Sequence, residues 1–192
     1  KEKIDVSAPP EEQYRLTVDL REVNKHAIPT RFPLPRLESF MDKVAGKRYF
    51  GTLDLNAGYW QLPLHEDSQH FFSIMTDEAI WTPLRLIQGS RNAAGPFQAI
   101  VAEVLGELID TACVQYIDDI MIFGTTEDEF VDNWILVVKK LHSVGLKVAA
   151  KKTDFYAREV RYCGRVFTTE GAKFDPKLLN TITMMAPPNT VA

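Results

Sequence analysis

The sequence predicts an α+β fold in which two helices pack on a split β-α-β-β-α-β sheet, with further strands inserted. Three observations predict it. Apolar residues recur at helical spacing in two stretches, Phe97–Leu108 and Phe130–Leu141. Two apolar runs between them, Val114–Ile117 and Ile120–Phe123, are separated only by Asp118-Asp119, which reads as a two-residue hairpin. A strand-like run from Arg48 to Leu55 precedes the first helix and closes on Thr52-Leu53-Asp54-Leu55.

The elements follow in chain order. Residues 1–13 are polar, carry Pro9-Pro10, and read as a loop or hairpin tip. Tyr14–Leu20 alternates as a strand. Residues 26–36 hold Pro29, Pro33 and Pro35 and form an extended connector. Leu34, Leu37, Phe40, Met41 and Val44 mark a helix that Gly46 stops. After the strand at 48–55, residues 59–64, 71–75 and 80–87 read as strands joined by polar turns. Phe97, Ile100, Val101, Val104, Leu105 and Leu108 form one helix face. Phe130, Trp134, Val137, Val138 and Leu141 form another, with Gly145 just past its end. Leu146–Ala149 is a short strand and closes the six-element unit. Val160–Thr168 is a last hairpin strand. No internal repeat appears.

The 192 residues are 45% hydrophobic and 25% charged, which excludes a disordered tail, a collagen-like repeat and a disulfide scaffold. No run reaches the ~20 apolar residues of a membrane helix. Cys113 and Cys163 have no Cys or His at metal-ligand spacing and read as buried thiols of a reducing compartment. The chain starts without Met or an apolar signal region and stops at Pro-Pro-Asn-Thr-Val-Ala, so both ends read as cut from a longer polypeptide. Net charge is −4, which argues against a dedicated nucleic-acid binder. The distribution argues otherwise. Glu103–Asp132 holds nine acidic residues and no Lys or Arg, whereas Lys139–Lys177 holds ten basic residues and four acidic ones. A fold that sets the two around one cleft can hold cations at one end and phosphates at the other.

Topology brings specific acids together. A right-handed crossover makes the strand at 48–55 parallel to the strand at 114–117. Asp54 then ends one strand and Asp118-Asp119 follow the other, so three carboxylates meet at one sheet edge. Clustered carboxylates repel, and one takes up a proton unless a cation lies between them. Mg²⁺ prefers such oxygen ligands, and two ions about 3.5–4 Å apart support in-line phosphoryl displacement. Apolar Tyr116, Ile117, Ile120, Met121 and Ile122 anchor the acidic tip in a core.

These residues resemble a family. Tyr116-Ile117-Asp118-Asp119 resembles the Tyr-x-Asp-Asp box of reverse transcriptases, and Asp54 their first catalytic motif. Arg15-Leu-Thr-Val-Asp-Leu-Arg-Glu-Val-Asn-Lys25, Arg31-Phe-Pro-Leu-Pro35 and Tyr49-Phe-Gly-Thr-Leu-Asp-Leu-Asn-Ala-Gly-Tyr-Trp-Gln61 resemble the gypsy-type LTR retrotransposon enzymes. Gln88-Gly89 with Gly95-Pro96-Phe97-Gln98 resembles the nucleotide-contacting motif, Gly145–Lys152 the next motif, and Tyr162-Cys163-Gly164 the primer grip.

The resemblance implies a polymerase palm with a fingers subdomain and the thumb absent or truncated. Fingers would occupy 1–47 and 59–92, the palm strand with the first motif 48–58, and the remaining palm 93–192. It implies an RNA-directed DNA polymerase fragment of a retroelement polyprotein, weak or inactive in isolation. Two Mg²⁺ ions, or Mn²⁺, would sit on Asp54, Asp118, Asp119 and the carbonyl of Leu55. Arg15 would meet the triphosphate, Tyr59 would lie under the incoming sugar, and Gln88 would contact its 3′ side. Lys152, with Lys151 as the alternative, would serve the leaving pyrophosphate, and Cys163-Gly164 would lie against the primer end. Partners would be an RNA or DNA template, a DNA or tRNA primer, dNTPs and the downstream thumb and RNase H regions, with no membrane. The place would be intracellular: cytoplasm, virus-like particles or nucleus.

The sequence departs from the family in places. Leu86-Ile-Gln-Gly89 stands where gypsy-type enzymes carry Pro-Phe-Gly and is closer to the retroviral form. Ala93-Ala94 replaces the usual Ala-Pro, and the fingers tip, Val6–Gln13, is acidic, so Lys1 and Lys3 carry no firm role there. Two alternatives stay open: a domesticated, non-catalytic binding scaffold, and an RNA-dependent RNA polymerase palm, against which Ile117 and Tyr59 speak.

Overall fold

The computed structural model describes residues 17–30 and 32–185. Its centre is a four-stranded sheet of β1 (Tyr49–Asp54), β4 (Cys113–Tyr116), β5 (Asp119–Gly124) and β6 (Asp154–Ala157), in the order β4-β5-β1-β6. Every neighbouring pair is antiparallel, so β4 runs parallel to β1 with β5 between them. The sheet lies between two layers. On one face pack α5 (Ala94–Leu105) and α6 (Glu127–Ser143), through Phe97, Val101, Phe130 and Val137 against Leu53, Ile120 and Ile122. On the other, Phe50, Val114, Met121 and Phe123 meet Phe40 of α2 (Leu37–Val44) and Val160, Tyr162 and Phe167 of a three-stranded sheet. That second sheet is β7 (Glu159–Tyr162), β8 (Arg165–Thr168) and β9 (Gly171–Phe174).

Strand alternation explains both layers. Odd positions of β1 and even positions of β5 face the helices, and the opposite sets face β7–β8. With both faces covered, β5 is apolar and buried from Ile120 to Gly124. Gly51 is needed where α6 crosses: a Cβ there would lie 2.6 Å from the Trp134 ring and 2.8 Å from the Asp154 carbonyl oxygen.

The inserted region is less regular than its sequence suggests. Residues 59–64 do not begin as a strand: Ala57 turns left-handed (φ 49°) and starts a helical turn, α3 (Gly58–Gln61). Beyond it Leu64 N donates to Leu84 O and Leu86 N to Leu62 O, an irregular ladder in place of regular strands. The segment at 71–75 opens as a 3₁₀ turn (His70–Phe72), after a short helix α4 (Glu66–Gln69). Only β2 (Ile74–Met75) and β3 (Ile80–Trp81) pair, and Pro83, which has no N–H to donate, follows the second.

Other boundaries shift. The β4–β5 hairpin turns at Ile117-Asp118, not Asp118-Asp119, because Tyr116 pairs with Asp119 and Asp119 opens β5. Leu146–Ala149 contributes only the bridge Leu55–Val148; β6 takes the last place in the palm sheet. Val160–Thr168 is two strands joined by left-handed Cys163 and Gly164 (φ 49° and 74°). Helices α1 (Arg21–His26) and α7 (Pro176–Thr183) and strands β6 and β9 stand outside the elements expected from the sequence. Of the strand expected at Tyr14–Leu20, residues 17–20 have no regular structure and the rest lies outside the described residues.

Candidate active site

Asp54 closes β1, and its register partner across the ladder is Asp119, the first residue of β5. Both sit at even–odd positions that face the β7–β8 layer. Asp118 occupies the turn beside them, and its carbonyl accepts a bond from Leu55 N at 3.4 Å. The three carboxylates therefore share one sheet edge, as the topology argument requires. The charges feel each other: Asp119 is raised above the ordinary carboxylate range, first by desolvation, then by Asp118 and Asp54, with Lys152 opposing.

Lys152 ends a 3₁₀ turn (Ala150–Lys152), and its Nζ donates to both Asp54 carboxylate oxygens, at 3.2 and 3.0 Å. The turn is tied to the strand that it serves. Ala149 N donates to Asp54 O, Asn56 N to Lys147 O, and Lys152 N to Ala149 O. Gln61 adds a clamp: its Oε1 accepts from Lys147 N at 2.7 Å, and its Nε2 donates to the carbonyls of Lys147 and Asn56. It is Lys152 that reaches Asp54; Lys151 shares the turn and is exposed.

Two buried glutamines hold the β4–β5 turn. Ile117 is β-branched yet left-handed (φ 57°), a conformation that such a residue avoids. Its N–H donates to Gln98 Oε1 at 2.6 Å, and its carbonyl accepts from Gln115 Nε2 at 2.9 Å. Gln98 and Gln115 are 4% and 2% exposed. Gln98 enters the sequence reading only as the last residue of the Gly95–Gln98 motif, with no role of its own, and Gln115 offers no signal beyond a polar side chain in an apolar strand.

Tyr59 stands on α3 with its ring 4.8 Å from that of Phe97. Its phenol is pushed up by partial burial and then by the charge of Asp118. Gln88 and Gly89 form an exposed turn, with Gly89 at φ 95°. Asn24 of α1 fastens that turn, donating to Gly89 O and accepting from Arg91 N. Cys163 and Gly164 form the β7–β8 turn next to the acids. Burial pushes the Cys163 thiol up to about 12, and Asp119 adds to it. The Tyr162 hydroxyl donates to the Asp119 carbonyl at 3.0 Å, which seats the hairpin on the acidic edge. Thr52, Asp54, Asp119, Lys152, Arg161 and Cys163 line a cleft of about 210 Å³ there. Arg15 lies outside the described residues.

Among the described residues, no three Asp, Glu, His or Cys side chains stand close enough to hold one ion in this arrangement. The donor set nevertheless suits a hard cation: only oxygen ligands, in surplus negative charge, with a lysine ammonium already drawn onto one of them.

Residues 2–167 match the family described as reverse transcriptase (RNA-dependent DNA polymerase). The chain belongs to the reverse transcriptase family. Among retroelement relatives, it is 34% identical over 181 residues to the retrovirus-related Pol polyprotein of transposon opus of Drosophila melanogaster, covering 94% of this chain and 18% of the polyprotein. To that of transposon gypsy of the same species it is 33% identical over 177 residues, covering 92% and 17%. The chain thus spans under a fifth of the length of these relatives. Its fold is that of foamy viral protease–reverse transcriptase. The complex of that enzyme with double-stranded DNA gives a TM-score of 0.83 at 25% identity, covering 94% of this chain and 32% of the other. The complex with an RNA/DNA hybrid gives 0.79 at 26%, covering 94% and 24%. This reverse transcriptase domain is a retroelement α+β palm and fingers, and among its described residues no helix is long and apolar enough to cross a membrane.

Proposed function

We propose that this chain is the fingers and palm of an RNA-directed DNA polymerase and transfers a nucleotide from a dNTP to a primer 3′-OH. The observation that carries the reading is the register pair Asp54–Asp119 with Asp118 beside it, at one sheet edge of a reverse transcriptase domain. Fingers are assigned to 1–47 and 59–92, the first catalytic motif to 48–58, and the rest of the palm to 93–192.

Asp54, Asp118, Asp119 and the Leu55 carbonyl would hold two divalent cations, Mg²⁺ or Mn²⁺, which supply charge neutralisation and a more acidic primer hydroxyl. The chain's own residues do the rest. Tyr59 packs beneath the incoming sugar, where a ribose 2′-OH meets the ring as a clash. Gln88 contacts the nucleotide's 3′ side from its turn. Lys152 lies on the phosphate side, so its ammonium can neutralise or protonate the leaving pyrophosphate. Cys163 and Gly164 seat the primer end. Arg15 takes the triphosphate by resemblance alone. An RNA or DNA template, a DNA or tRNA primer and the downstream thumb and RNase H regions complete the complex. The reaction belongs to the cytoplasm, virus-like particles or the nucleus.

The test is RNA-templated extension of a DNA primer by the chain within its polyprotein. Asp118→Asn should lower the rate by ~10²–10³ or more, the loss expected when preorganised charge is removed from an active site. An unchanged rate in a folded variant refutes the assignment.

A further inference from the structure

Lys152 and a divalent cation need the same two oxygens. The Nζ of Lys152 lies 3.2 and 3.0 Å from the Asp54 oxygens, and the Asp54 side chain is only 20% exposed against 66% for Lys152. The contact is built rather than casual. Lys147–Ala149 is hydrogen-bonded to Asp54 and Asn56, Gln61 clamps Lys147 from the other side, and the 3₁₀ turn then folds Lys152 back over the strand end.

We propose that Lys152 is a resident counter-ion of the metal site, displaced from Asp54 when the first divalent cation binds. This rests on the metal-site reading above and adds a role that precedes any substrate. The ammonium keeps the three carboxylates from splaying apart, and its exposed stem lets it swing out without disturbing the core. Once released, it remains tethered at the cleft mouth, where phosphate oxygens arrive. The contact therefore sets a threshold on cation affinity: the site should load more readily once Lys152 has another anion to hold.

The experiment measures Mn²⁺ binding by the 192-residue chain, from the electron paramagnetic resonance signal of free Mn²⁺, without nucleic acid. Lys152→Met should tighten binding about three- to five-fold, the range of a partly exposed ion pair. Lys152→Arg should leave it close to wild type. Lys147→Met removes the same charge from the same segment but keeps the main-chain bonds, and should change affinity less than two-fold. Equal affinities for wild type and Lys152→Met, with Asp54→Asn abolishing binding to both, overturn the counter-ion role and leave the metal site standing. Mn²⁺ binding that Asp54→Asn does not weaken overturns both. A circular-dichroism melt of each variant separates these results from unfolding.

Discussion

Asp119 is held by the fold at a cost that depends on pH. Its carboxyl is raised above the ordinary aspartate value of 3.8 by desolvation and by two neighbouring carboxylates. A raised acid favours the folded state while protonated, and that favour is lost as pH rises through the folded-state value. At pH 7 the charged Asp119 therefore destabilises the hairpin. Asp119→Asn should raise the melting temperature at pH 7, by about 2 °C or less for a domain of this size. The gain should vanish as pH falls below 3.8, so thermal melts at pH 7 and pH 3 check both the sign and the cause. Tyr59 makes a second residue-scale test. Its ring is half-buried on Phe97, so Tyr59→Val should cost roughly 2 kcal/mol, below the range for a fully buried aromatic. It should also raise the ribonucleotide-to-deoxyribonucleotide ratio in primer extension, whereas Tyr59→Phe should leave both unchanged. A lower melting temperature with an unchanged ratio would make the ring packing alone. At this scale the acids were legible, because topology alone sends Asp54, Asp118 and Asp119 to one edge. Gln98 and Gln115 were not, because a glutamine in an apolar run reveals its partner only when the strand and helix cross.

The β4–β5 hairpin is the element that shows what a strained turn needs. Ile117 is left-handed, and its N–H and C=O are both taken by buried amides. Gln98→Leu leaves that N–H unpaired at the foot of the turn, and should destabilise by ~1–3 kcal/mol and lower the polymerisation rate. Gln98→Glu keeps the acceptor but buries a carboxyl beside the acidic edge, so it should recover stability only at low pH, where that carboxyl is protonated. Equal melts for all three proteins would show that the bond is idle. The same hairpin explains a one-residue error in reading. Two apolar runs around Asp118-Asp119 suggest a turn centred on the acids, but Ile117 faces α5 and joins the turn, so Asp119 becomes a strand residue with a fixed register. The palm's strands and helices were legible because each is covered and patterned. Elements α1, β6 and β9 were not, since exposed short segments carry little apolar period: β6 is exposed at Asp154, Phe155 and Tyr156, and Tyr156 is itself left-handed.

Across the whole molecule, a net charge of −4 conceals an acidic sheet edge and a basic C-terminal third. Binding to primer–template should therefore be weak and governed by a few Lys and Arg contacts to phosphate. Raising KCl from about 50 to 200 mM should weaken it about tenfold if two phosphates are neutralised, as a fluorescence-anisotropy titration would show. Salt-insensitive binding would contradict this. The sheet order also has a temporal meaning. Strand β1 has no neighbour made from nearby sequence: its partners in β5 lie 65 to 75 residues further along the chain, and β6 lies further still. On a ribosome adding about 5–20 residues per second, the apolar run Tyr49–Leu55 waits several seconds for its partner to emerge. Pairing so distant in sequence is slow, and an unpaired strand invites the wrong neighbour meanwhile. The palm is thus assembled late and all at once, and nascent chains are most open to misassembly, and most in need of a chaperone, before Gly124 has left the exit tunnel.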